Sequence, residues 1–136
     1  MKEHFLNLGF EINGVLHLTG RQAIQCIEAG AVLLDIREDY EIAIKDFGLA
    51  TKIECAYSQL DSLIHTLPAG LPLIVADCVG IHSKECIVKL LENGFQMTAN
   101  LSGGIFDWER DGLPMRKMDE VMSGQCPCII KTRTQT

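Results

Sequence analysis

Residues 71–95 read LPLIVADCVGIHSKECIVKLLENGF. An apolar run, Leu71 to Ala76, stops at Asp77-Cys78 and crosses a short loop containing Gly80. From Ser83 it becomes a helical pattern in which Ile87, Leu90 and Leu91 share one face, with Gly94 as the stop. Unbroken apolar runs of this length fit strands covered on both faces, as in parallel sheets. In open α/β sheets, ligands collect where such a strand hands over to the next helix. A cysteine stands at that handover.

The rhythm extends in both directions. Upstream, Thr19-Gly20-Arg21-Gln22 fits a capping box, Ala23, Ile24 and Ile27 continue at helical spacing, and Gly30 ends the helix. AVLLDI (31–36) follows as a second unbroken apolar strand. IECAY (53–57) reads as a short strand and Ser58 to Leu67 as a helix. Downstream, MTANL (97–101) reads as a strand and Gly103 to Asp111 as a helix carrying Phe106 and Trp108. Val15 to Leu18 is a candidate first strand. Strands alternating with helices predict an α/β fold with a mostly parallel sheet. Periodicity weakens after Pro114, so Met115 to Thr136 reads as a tail or one extra helix. The expected organisation is one domain over residues 1–118 and a tail over 119–136.

The 136 residues suit a single core. A net charge of -6 without a basic run argues against a nucleic-acid partner. No segment has the apolar length of a signal peptide or a membrane span, so a cytoplasmic location with no membrane partner is expected. In that reducing setting most of the six cysteines read as free thiols, with Cys26, Cys55 and Cys86 among apolar neighbours as core residues.

Cys78 differs from those three. The first amides of a helix have no intrahelical partners, and the helix dipole adds positive potential. A loop curled around Gly80 can aim further amides at one point. The expectation is a thiol made more acidic than its usual pKa of about 8.5. Asp77 would oppose a thiolate from inside the pocket, so its carboxylate is expected to turn away and bond backbone.

Residues 78–83, Cys-Val-Gly-Ile-His-Ser, resemble the six-residue active-site loop of the rhodanese family. LLDIRE (33–38) is similar to that family's Asp-x-Arg strand end, and NGF…NLSGGIFDWERDGLP (93–114) to its closing signature. The resemblance spans roughly residues 14–115. It implies a rhodanese-like three-layer fold, with a mostly parallel five-stranded sheet flanked by helices. It implies a sulfurtransferase needing no cofactor, in which Cys78 carries sulfur as a persulfide. The donor would be thiosulfate or a persulfide, and the acceptor a thiol, cyanide or a protein. Val79, Gly80, Ile81, His82, Ser83, Lys84 and Arg37 become candidate substrate-binding residues, with Asp35 structural beside them. The arginine that many members carry in or after the loop is absent here, leaving His82 and Lys84 as candidates. DFGLATKIECAY (46–57) stands where the family has Gly-His-Ile-Pro-Gly-Ala.

Roles beside the cysteine stay open at this level. His82 either assists Cys78 or faces solvent; Arg37 either binds an anionic donor or braces the strand end beside Asp35. Cys126-Pro127-Cys128 is structural, a thiol relay or part of a metal site. His4, His17 and His65 lack metal-ligand spacing. The alternatives to sulfur transfer are a non-catalytic interaction module and a phosphatase or arsenate reductase. Phosphatase relatives need a wider loop ending in arginine, and position 84 here is lysine.

Overall fold

The computed structural model describes residues 2–117. Five parallel strands form its centre: β2 (Val15–Leu18), β3 (Val32–Asp35), β5 (Ile53–Glu54), β6 (Leu73–Ala76) and β7 (Thr98–Leu101). A sixth, β1 (Phe10–Ile12), pairs antiparallel with β2 and completes the order β1-β2-β7-β6-β3-β5. Leu33 pairs with Ile74 and Asp35 with Ala76, which brings the ends of β3 and β6 to one rim.

Alternate side chains of the buried strands go to opposite faces, which is why no polar alternation marks them in sequence. On one face Leu33, Ile74 and Ala76 pack with Ala23 and Cys26 of α1 (Gly20–Glu28) and with Trp108 of α5 (Gly104–Arg110). On the other, Leu34, Leu73 and Val75 pack with Leu60 of α3 (Leu60–Leu63) and with Ile87 and Leu90 of α4 (His82–Glu92). Three layers result, as expected of the mostly parallel α/β class. Cys26, Cys55 and Cys86 lie buried in these cores.

The capping box opens α1 as read. The Thr19 hydroxyl accepts from the Gln22 amide at 3.2 Å, and the Gln22 side chain accepts from the Thr19 amide at 2.9 Å.

Three expectations need correction. The helix over 58–67 is a 3-10 turn (Tyr57–Gln59), the single turn α3 and a second 3-10 turn (Ile64–Thr66). Its hydroxyl residues compete with the helical ladder, and the Thr66 hydroxyl takes the Leu63 carbonyl at 2.6 Å. The strand over 53–57 is two residues long, although the Cys55 and Tyr57 amides still bond the Asp35 and Ile36 carbonyls. The tail does not begin at Met115: β8 (Met115–Lys117) pairs antiparallel with β4 (Lys45–Phe47) in a separate ribbon. Between β3 and β4 lies α2 (Asp39–Ile44), a short helix beside the site. Cys126 and Cys128 fall outside the described residues.

Candidate active site

Strand β6 carries Asp77 and Cys78 to the carboxyl rim, and two backbone bonds pin them there. The Asp77 carbonyl accepts from Ile105 N at 2.9 Å and the Cys78 carbonyl from Phe106 N at 3.1 Å. Both donors belong to the first turn of α5. That close approach requires Gly104: its φ is +59°, and a Cβ there would stand 2.5 Å from the carbonyl carbon of Cys78. The Gly-Gly-Ile segment is therefore a clamp on the cysteine backbone. Gly80, at φ +90°, turns the loop back toward α4.

The loop amides are directed differently from the sequence expectation. Gly80 N donates to Oδ1 of Asp77, while His82 N and Ser83 N donate to its Oδ2 at 2.7 and 3.2 Å. Ile81, at the N-cap position of α4, supplies no side-chain cap. Asp77 fills that role from upstream, with its charge placed favourably at the positive end of the helix. The carboxylate does bond backbone, yet the amides it takes are those expected around the Cys78 sulfur.

The sulfur itself faces a second carboxylate. Cys78 Sγ–H donates to Oε2 of Glu41 at 3.1 Å, and Oε1 of Glu41 accepts from the Glu38 amide at 2.9 Å. The Glu38 bond holds the side chain aimed at the thiol from the start of α2. Burial, then the hydrogen bond to Glu41 and its charge, push the Cys78 thiol up to about 11, with Arg37 opposing and Asp77 adding to the rise. The expected acidic thiol is thus reversed: the positive end of the helix is already neutralised by Asp77, and the nearest charge to sulfur is negative.

Arg37 is buried and committed. Its Nε and Nη2 donate to the two carboxylate oxygens of Asp35 at 2.9 and 2.8 Å, a bidentate pair, and Nη1 donates to the Lys45 carbonyl at 2.7 Å. Its guanidinium lies 5.2 Å from the centroid of the Phe47 ring. Asp35 also accepts from Lys52 Nζ at 3.1 Å. This cluster braces the rim from below.

Two clefts meet at Cys78, and both are lined by Arg37, Glu41, Cys78 and Val79. The larger, of about 370 Å³, extends past Ile36, Tyr40, Tyr57, Ile81 and His82. The smaller, of about 270 Å³, runs past Ile44, Lys45, Ile105, Phe106 and Glu109. The His82 ring stacks on Tyr57 at 5.3 Å and 14°, so it forms a cleft wall. Ser83 is buried below the loop, its hydroxyl donating to Asn100 Oδ1, whose amide nitrogen meets His17 Nδ1 at 3.0 Å. Lys84 is exposed and lines neither cleft.

Of the sequence candidates, the structure brings Val79, Ile81, His82 and Arg37 to the cysteine and leaves Ser83 and Lys84 aside. Glu41 is the residue that sequence reading missed. Its signal was Glu38 and Glu41 three apart directly after the Asp-x-Arg strand end, the spacing of a helix start. Among the described residues no group of three or more His, Cys, Asp or Glu is placed to hold a metal ion, and no helix is long and apolar enough to cross a membrane.

Comparison with known proteins adds to this geometry. The structure matches that of a rhodanese-related protein from Thermoplasma volcanium with a TM-score of 0.67 and 22% identity, over 74% of this chain and 96% of that one. The chain has the rhodanese-like fold. It likewise matches the rhodanese-like domain of an Anabaena protein with a TM-score of 0.66 and 16% identity, over 78% and 82% of the two chains. In sequence the chain is 26% identical over 102 residues to the thiosulfate sulfurtransferase GlpE of Haemophilus influenzae, covering 72% of this chain and 91% of that protein. No family model matches the chain.

Proposed function

We propose that this rhodanese-like protein is a sulfurtransferase in which Cys78 carries the transferred sulfur. The observation that carries the reading is a half-buried thiol at the carboxyl rim, clamped by its backbone and open to two clefts. The GlpE relative, a thiosulfate sulfurtransferase, supports it at the level of reaction class. In the first half-reaction Cys78 sulfur attacks the outer sulfur of a donor, the donor's S–S bond breaks, and a Cys78 persulfide forms. In the second, a thiol, cyanide or protein nucleophile attacks the outer sulfur and restores the Cys78 thiolate. One transfer is thereby divided into two substitutions at sulfur. Glu41 is placed to receive the thiol proton as the nucleophile forms. The residues placed to meet substrate are Val79, Ile81 and His82. We place the unit over residues 1–118; residues 119–136 lie outside the described residues. A reducing, cytoplasmic setting suits a mechanism based on free thiols.

One observation favours a second reading, a non-catalytic interaction module: the thiol is held protonated by burial and by Glu41, and three loop amides are spent on Asp77. The same amides would have to receive a tetrahedral oxyanion, which argues against a phosphatase or arsenate reductase. Intact-mass spectrometry after incubation with sulfur donors separates the first two readings. Sulfur transfer requires a gain of about 32 Da that is absent in Cys78→Ala and reversed by cyanide. Failure of every donor to load Cys78 leaves the interaction module.

A further inference from the structure

Around Cys78 the charges are arranged against an anionic donor. Glu41 touches the sulfur at 3.1 Å and Asp77 holds the loop amides. The two cations lining the clefts are both engaged, Arg37 by Asp35 and Lys45 by Glu109 at 2.6 Å. A sulfonate group delivered with its sulfur to Cys78 would enter beside carboxylates and find, among the described residues, no uncommitted arginine or lysine along the cleft walls. A carboxylate and an incoming dianion in a partly desolvated cleft repel each other more strongly than in water.

The walls suit a different donor. Tyr40, Ile81 and Val79 are among the exposed apolar side chains of the molecule, 69%, 59% and 50% accessible, and all three border the larger cleft. With Tyr57 they form an apolar lip that an uncharged substituent would cover.

We propose that Cys78 is loaded by the persulfide of an apolar thiol, R–S–S–H, with R against Tyr40, Tyr57 and Ile81, and that Glu41 excludes oxyanionic donors. This rests on the sulfurtransferase reading above. The step balances without an added oxidant or reductant. The Cys78 proton passes to Glu41, and the Cys78 sulfur bonds to the outer sulfur of the donor. The donor's S–S bond breaks, and R–S⁻ leaves, taking the proton from Glu41. The products are the Cys78 persulfide and R–SH.

The test follows Cys78 loading by intact mass with thiosulfate and with benzyl persulfide released in situ. Each rate is divided by that donor's rate with free N-acetylcysteine, which removes intrinsic reactivity. The expected normalised preference for benzyl persulfide is roughly tenfold or more in the full chain, and Glu41→Gln cuts it severalfold by admitting thiosulfate. Tyr40→Ala, at an exposed position, shifts the ratio the same way by weakening the seat for R. Thiosulfate loading that equals benzyl persulfide loading in the unaltered protein overturns the inference and leaves the sulfurtransferase reading standing. So does a ratio that neither substitution moves. Loading by neither donor overturns both.

Discussion

Glu41 and Cys78, 37 positions apart in the chain, meet at 3.1 Å, the thiol donating to a carboxylate that the Glu38 amide orients. A negative group in contact with sulfur favours the neutral thiol. Removing the charge in Glu41→Gln is expected to bring the Cys78 pKa down from about 11. It stays above the free-thiol value, because burial is the larger cause and remains. Each unit of decrease raises the thiolate fraction near neutrality about tenfold. Alkylation of Cys78 by iodoacetamide at pH 7.5, read by mass, is expected to run roughly tenfold faster in the variant. An unchanged rate would show that Glu41 does not govern the thiol.

Asp77 caps α4 through three amides. Asp77→Asn keeps the size, offers one acceptor oxygen in place of two and removes the charge at the helix start. A loss of about 1–2 kcal/mol is expected, read as a lower urea midpoint with the slope preserved. Equal midpoints for the two proteins would contradict the cap.

Gly104 is where α5 approaches the Cys78 carbonyl. Gly104→Ala adds a methyl group against backbone at a positive φ, so a loss of about 2 kcal/mol or more is expected in urea unfolding. Gly94→Ala is the matched control. Its φ is +90° but nothing lies within 4 Å of the added atom, so only conformational strain acts and the loss is expected to be smaller. Equal losses would dissociate the clamp from Gly104.

Stability should fall in alkali through Cys86. Burial, then the neighbouring Cys55, pushes its thiol up to about 12, whereas an unfolded thiol ionises near about 8.5. Between those pH values the folded chain retains a proton that the unfolded chain has released. The contribution is therefore complete below the unfolded value and is lost as pH rises toward the folded one. Cys78 acts in the same direction. Urea unfolding at pH 8, 9 and 10 is expected to show a decline that is shallower in Cys86→Ala, by up to about 1.4 kcal/mol per pH unit. Parallel declines would contradict this origin.

Sequence reading reached the architecture because its signals are local or repeated. Unalternating strands, the Thr19–Gln22 box and Gly94 each report on a few neighbouring residues. One local signal went unread: Asn13-Gly14, both at positive φ, is the two-residue turn that joins β1 to β2. The β4–β8 ribbon was less accessible, since three-residue strands some seventy positions apart leave no periodic trace.

At the rim, the chain alone established that a cysteine ends a buried strand beside a glycine loop and a helix start, and that residues 79–84 contain no arginine. Local propensity and burial pattern suffice for that, because they act over a few residues at a time. Which charges surround the sulfur is a matter of distance in space. Folding turns the loop amides onto Asp77, locks Arg37 onto Asp35 and brings Glu41 in from α2. A helix start that should have acidified the thiol therefore leaves it protonated, since electrostatic energy follows separation and burial rather than position along the chain.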